Sequence, residues 1–200
     1  MTKCKKRSDW DKWKVAIETE IASLYKREVF LAVMPTPPGI FPVGYKWVFV
    51  RKRNENNEVV RYKVRLVAQG FTQRPGVDFN ETYSPVMNGI TFRYLISLAI
   101  QNHLSMHLMD IVTAYLYGSL DFEIYMKVPD GISIPNSKAN RNLYCVKLQK
   151  SLYGLKQSGR MWYNRLSELI TLKGYTNNDD YPCVFIKKII NRILYYIGVR

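Results

Sequence analysis

One carboxylate inside an apolar run constrains this chain more than any other feature. In His107-Leu108-Met109-Asp110-Ile111-Val112-Thr113-Ala114-Tyr115-Leu116-Tyr117-Gly118, Leu108 and Met109 precede Asp110, and Ile111 and Val112 follow it. A short continuous apolar run reads as a strand covered on both faces. A charge in that setting is costly unless a cation or hydrogen bonds compensate it. Two compensations fit the residues. A divalent cation is one, because hard cations take oxygen ligands. An aspartate at the strand end, capping the turn that follows, is the other.

The charge balance narrows the partners. Thirty Lys and Arg against sixteen Asp and Glu give a net charge of +14 over 200 residues. A field of that sign favours polyanions, either nucleic acid or an anionic membrane surface. The basic residues are scattered rather than gathered on one amphipathic helix, which argues against a membrane partner. Hydrophobic residues at 47% and aromatics at 14% suffice for a core and exclude a disordered tail. The length suits one large domain or two small lobes. Cys4, Cys145 and Cys183 are widely spaced with no C-x-x-C pair, and read as free thiols in a reducing compartment. The N-terminus has no apolar signal region, and no apolar run reaches the roughly 20 residues of a membrane span. The expectation is a soluble protein of the cytoplasm or nucleus without a targeting signal.

Along the chain, Ser8 with Asp11 resembles a capping box, and Trp10, Trp13, Ile17, Ile21 and Leu24 repeat at helical spacing to about Lys26. Met34-Pro35-Thr36-Pro37-Pro38-Gly39 opens a turn-rich connector. Tyr45 to Lys52 and Val59 to Gln69 read as a hairpin joined by the polar residues 53–58. In its second strand Arg61, Lys63 and Arg65 alternate with Tyr62, Val64 and Leu66, so the cations share one face. A solvated edge strand guarded by charges gives the same pattern. Thr91 to Asn102 reads as a helix burying Tyr94, Leu95, Leu98 and Ala99. Strands are expected at Glu123 to Val128 and Leu143 to Leu148. A helix from Gly159 or Arg160 should bury Met161, Trp162, Leu166, Leu169 and Ile170 and end at Gly174 as its C′ residue. Cys183 to Lys187 and Ile193 to Val199 close the chain as apolar strands. His103 and His107 are four residues apart, a metal-ligand spacing on a helix, but no acid or cysteine motif completes a site.

Several phrases together resemble the reverse transcriptase of copia-type LTR retrotransposons. They are Lys46-Trp47-Val48-Phe49, then Arg61 to Phe71 (RYKVRLVAQGF), Glu81 to Val86 (ETYSPV), Asp110 to Gly118 (DIVTAYLYG), Ile124-Tyr125-Met126 and Ser151 to Gln157 (SLYGLKQ). They run from about Trp13 to Phe185 in the family's order and spacing. The resemblance implies an α+β right-hand polymerase, with fingers and a palm built on an antiparallel sheet packed with helices, and no thumb in this chain. It divides the chain into an N-terminal helix over 1–30, a fingers hairpin region over about 40–90, and a palm over about 100–200 with a fingers loop at 143–158.

Phosphoryl transfer from a dNTP to a primer 3′-hydroxyl is largely positioning and charge stabilisation, with two Mg²⁺ ions held by carboxylates on adjacent palm strands. Ile193 to Val199 is accordingly expected beside the Asp110 strand. By resemblance Asp110 is the catalytic, metal-holding carboxylate, with the Ile111 carbonyl as a further ligand. Tyr115 would underlie the sugar and exclude a ribose 2′-hydroxyl. Lys63 and Arg65 would meet the triphosphate, and Gly154, Lys156 and Gln157 the nascent base pair. Arg61, Lys150 and Arg160 would contact an RNA or DNA primer–template. The rest of a Pol polyprotein is a further expected partner.

The departures matter as much. The family's Tyr-x-Asp-Asp supplies two more carboxylates. Here the corresponding strand reads Ile193 to Arg200: if Tyr196 is the motif's tyrosine, Gly198 and Val199 stand where both aspartates belong, and if the sequence is cut or frameshifted the motif is missing altogether. Asp179-Asp180 is no substitute, because Asn177-Asn178 and Tyr181-Pro182 around it mark a loop. Gly159 stands where the family has a proline that fixes a helix start. The expectation is a truncated or degenerate polymerase copy, inactive alone, with weak or no Mg²⁺ binding. A basic nucleic-acid-binding remnant without chemistry is the alternative.

Overall fold

The structure, a computed structural model, describes residues 8–136, 138–189 and 192–198. Cys4 and Val199 therefore lie outside the described residues. The fold mixes α and β, and its strands form antiparallel sheets.

Helix α1 (Trp10–Lys26) forms because Trp13, Ile17 and Leu24 make one apolar stripe, and all three are buried. Its N-cap is Asp9 rather than the expected Ser8, and the side chain makes no capping bond. The Asp9 carboxylate is ion-paired to Arg51, so the tertiary partner has taken the acceptor a cap would use. Strand β1 (Phe30–Pro35), which the sequence did not suggest, follows at once.

Strands β2 (Tyr45–Arg53) and β3 (Val59–Ala68) make the expected hairpin, with Trp47 opposite Leu66 and Val50 opposite Lys63. Val64, Leu66 and Ala68 are buried. Helix α1 packs on this hairpin, with the Trp13 ring edge-on to Phe49 at 5.3 Å and to Tyr62 at 4.6 Å. Leu66 and Ala68 turn their N–H groups away from β2. The first reaches the Glu20 carboxylate at 3.2 Å and the second the Tyr153 carbonyl at 2.7 Å. A free strand edge is thereby closed.

Helix α2 (Gly89–Gln101) is capped by Asn88, whose side-chain oxygen accepts the Ile90 N–H at 2.8 Å. None of its residues is buried, and Tyr94, expected inward, is 64% exposed. No described element packs along it closely enough to enclose its apolar side.

The expected strand over Leu108 to Val112 is not formed, and this corrects the central structural expectation. Residues 104–111 carry no regular secondary structure, Leu108 is fully exposed, and Val112 is 68% exposed. The segment is bounded by two left-handed residues, His103 (φ 51°) and Thr113 (φ 60°). An apolar run favours burial, but a strand also needs a neighbour to pair its backbone, and among the described residues none pairs with this one. Nor is the last strand paired to it, contrary to expectation.

A short 3-10 turn, Ala114–Tyr117, leads into β4 (Ser119–Lys127), which pairs with β5 (Tyr144–Lys150). These two and β1 form one sheet in the order β1-β5-β4. Its Ile124, Met126, Val146 and Leu148 join Leu24, Leu66, Leu116 and Leu152 in one core. Each such side chain contributes roughly 1.5–3 kcal/mol by leaving water.

Helix α3 (Ser158–Leu172) buries Met161 and Ile170, while Leu169 is exposed against expectation. Gly174 ends it as expected. Its φ is 82°, its N–H reaches the Thr171 carbonyl at 2.9 Å, and the Tyr175 N–H reaches Ile170 at 3.3 Å. Those are the two bonds of a Schellman end, where a left-handed residue is needed. Strands β6 (Thr176–Asn177), β7 (Val184–Ile189) and β8 (Arg192–Ile197) complete the described chain as an antiparallel sheet. No helix among the described residues is long and apolar enough to cross a membrane.

Candidate functional site

An open cleft of about 2590 Å³ is lined by residues of α1, β3, α2, the 103–113 segment, α3 and β8. Arg61, Lys63 and Arg65 of β3 line the cleft, together with Val60, Tyr62 and Val64 between them, while Leu66 is buried outside its lining. Asp110, Ile111 and Tyr115 line it as well, so the structure brings six of the expected site residues to one opening.

The cationic wall is crowded. Burial lowers the Lys63 ammonium from its ordinary pKa, and the charges of Arg65, Arg61 and Lys52 lower it further, with Glu20 opposing them. Arg65 lies over the Tyr153 ring at 5.3 Å, and Tyr153 meets Tyr115 edge-on at 5.5 Å. Burial raises the Tyr153 phenol above its usual range, and Arg65 draws it partly back. This chain of contacts ties the cationic strand to the aromatic turn that follows Asp110.

The remaining expected residues lie outside the lining of this cleft, and each has a structural occupation. Gly154 (φ 87°) faces β3: a Cβ there would stand 2.2 Å from the Ala68 carbonyl oxygen. Gln157, expected at the nucleotide, is fully buried. Its amide donates to the Asp78 carbonyl at 2.9 Å and its oxygen accepts from Gln73 at 3.0 Å. Gln73 in turn accepts the Lys156 N–H at 2.8 Å, and the Lys156 ammonium lies 5.0 Å from the Phe79 ring centroid. Lys150 donates to the Arg27 carbonyl at 2.6 Å. Arg160 is paired with Asp121 at 2.8 Å and Glu81 at 3.2 Å, so its charge is largely compensated within the protein. Gln73 was not expected at any site, and nothing in its local pattern signals a buried amide.

Glu20 was not expected either, although a signal existed. Trp13, Ile17, Glu20 and Leu24 are spaced 4, 3 and 4 residues apart, which puts a carboxylate within the apolar stripe of α1. Burial pushes its carboxyl above the ordinary value. The Leu66 N–H and the charges of Arg65, Lys63 and Arg27 draw it partly back.

For metal, the donors do not fit a pair of Mg²⁺ ions. Among the described residues no three His, Cys, Asp or Glu side chains gather as a metal-binding group. Asp110 lies on the exposed segment, Gly198 lines the cleft without a carboxylate, and Asp179 and Asp180 are exposed outside it.

A family model described as reverse transcriptase (RNA-dependent DNA polymerase) matches residues 28–199. The Retrovirus-related Pol polyprotein from transposon TNT 1-94 of Nicotiana tabacum is 39% identical over 173 residues, covering 86% of this chain and 13% of that protein. The Pol polyprotein from transposon RE2 of Arabidopsis thaliana is 34% identical over 187 residues, covering 94% of this chain and 13% of the relative. The Transposon Ty1-ER2 Gag-Pol polyprotein of Saccharomyces cerevisiae is 36% identical over 149 residues, 72% of this chain and 8% of its own length. No solved structure gives a significant match. With its β2–β3 hairpin phrases, its Asp110 phrase and its Ser151 to Gln157 phrase all inside the matched span, this chain belongs to the reverse transcriptase (RNA-dependent DNA polymerase) family, as a domain of the copia-type retrotransposon Pol polyproteins.

Proposed function

We propose that this domain takes a primer–template and an incoming nucleoside triphosphate into the cleft, and that a chain of this sequence does not transfer nucleotides. In this reading the β2–β3 hairpin serves as fingers, and the segment from Asp110 through β4, with β7 and β8, serves as palm. The observation that carries it is the shared lining of the cleft. Arg61, Lys63, Arg65, Asp110 and Tyr115 all line it. Phosphates neutralised by Lys and Arg supply most of the affinity for nucleic acid. Tyr115, held edge-on by Tyr153, is the group that would lie beneath the sugar. What supports the proposed inactivity is that, among the described residues, no three His, Cys, Asp or Glu side chains gather as a group that could hold a metal ion.

Two measurements test this. Binding of a short primer–template duplex should weaken by orders of magnitude over a few-fold rise in salt. The double change Lys63→Ala, Arg65→Ala should reduce the slope of log K against log salt by about two, roughly one for each phosphate no longer neutralised. A slope unchanged by that double variant would remove the cationic wall from the interface. Primer extension should give no product from the wild-type chain or from Asp110→Asn. Extension by the wild type that Asp110→Asn abolishes would refute the inactivity.

A second reading, a basic nucleic-acid binder with no nucleotide site, is favoured by the +14 charge. It expects inorganic triphosphate to compete no better than its charge alone allows, and competition to be indifferent to Lys63 and Arg65.

A further inference from the structure

We infer that Glu20 is a built-in counter-charge to the cationic wall, which an incoming polyphosphate must work against, so that this one carboxylate sets the anion affinity of the cleft. The inference rests on the reading that Lys63 and Arg65 receive a triphosphate. Glu20 is the charged residue within the α1 stripe, and α1 lies along the edge of β3. Its carboxylate accepts the Leu66 N–H at 3.2 Å, one residue beyond Arg65, and it lines the same cleft as Lys63 and Arg65. A carboxylate there lowers the positive potential that the strand would otherwise offer to an anion.

The hydrogen bond to Leu66 does not require the charge. A glutamine at this position keeps an acceptor oxygen for the N–H and removes only the negative charge. A structural role and an electrostatic role therefore separate cleanly. The groups that face Glu20 are Lys63 and Arg65 from β3, Arg27 from the end of its own helix and Tyr153 from the loop before α3. His103, His107 and Asp110 border the same cleft. Burial holds the Glu20 carboxyl above its ordinary value of 4.5. Its charge is lost as pH falls through that raised value, and anion affinity rises over that interval.

The test is binding of inorganic triphosphate to the whole chain by calorimetry, at low salt and from mildly acidic to neutral pH, for wild type, Glu20→Gln, Glu20→Asp and the double variant Lys63→Ala, Arg65→Ala. Glu20→Gln should bind about threefold to tenfold more tightly at neutral pH, with a difference from wild type that closes as pH falls. Glu20→Asp keeps the charge but is one methylene too short for the Leu66 N–H, so it should lose thermal stability without gaining affinity. Should the double variant lose binding while Glu20→Gln matches wild type at every pH, the counter-charge is refuted and the triphosphate reading stands. Should binding be absent throughout, or indifferent to Lys63 and Arg65, the triphosphate reading fails and the inference with it.

Discussion

Replacing Gly154 with alanine is expected to destabilise the domain by about 2–5 kcal/mol. An L side chain in a left-handed conformation costs roughly 1–2 kcal/mol, and forcing extra atoms into a packed region costs about 1–3 more. Both contributions apply at this position. The φ is 87°, and the added Cβ would stand 2.2 Å from the Ala68 carbonyl oxygen and 2.6 Å from a Val67 methyl. The backbone oxygen cannot turn aside freely, because the Gln69 N–H of the same peptide plane is bonded to the Gly44 carbonyl at 2.8 Å. For a chain of this size the melting temperature should fall by roughly 4–20 °C. Gly39 supplies the control: its φ is 76° but nothing lies within 4 Å of where a Cβ would stand, so Gly39→Ala carries the conformational cost alone. Equal losses at the two sites would show that the close approach to β3 is unimportant. Because Tyr153 sits beside Gly154, the same change should also loosen the Arg65–Tyr153–Tyr115 chain and weaken triphosphate binding.

The second large effect is expected at Trp13. This side chain is buried under the β2–β3 hairpin, edge-on to Phe49 and Tyr62, with the Arg51 guanidinium 6.0 Å from its ring centroid. Removing a buried aromatic of this size to alanine costs about 3–5 kcal/mol, through lost transfer energy and the cavity left behind. Chemical denaturation of Trp13→Ala against wild type measures it. A loss under about 1 kcal/mol would mean that α1 is held by other interactions. Since Glu20 rides on α1, Trp13→Ala should also move the anion affinity of the cleft toward that of Glu20→Gln. That link makes the docking of α1 part of the site rather than a support remote from it.

Local pattern carries much of the way from sequence to structure. The hairpin of β2 and β3, and the cationic alternation of Arg61, Lys63 and Arg65, follow from a two-residue period that any strand enforces. The end of α3 at Gly174 follows from backbone bonds made within five residues. The family is legible in phrases read in order along the chain, and the matched span of residues 28–199 agrees with them.

The structure adds what the sequence could not show wherever a group's partner lies far along the chain. The run around Asp110 is apolar enough for a strand, yet no described strand pairs with it, and it lies open to solvent. Gln157, expected at the nascent base pair, is hydrogen-bonded to Gln73 and to the Asp78 carbonyl, from a loop about eighty residues earlier. Arg160, expected at a primer–template, is paired with Glu81 and Asp121. Glu20 falls within an apolar stripe, and the edge of β3 supplies the N–H that it accepts. Periods, turns and family membership are written in neighbouring residues, so they can be read before any fold is known. Which polar groups face the cleft, and which are consumed holding it together, is settled only once the chain is folded, because proximity in space assigns each hydrogen bond and ion pair.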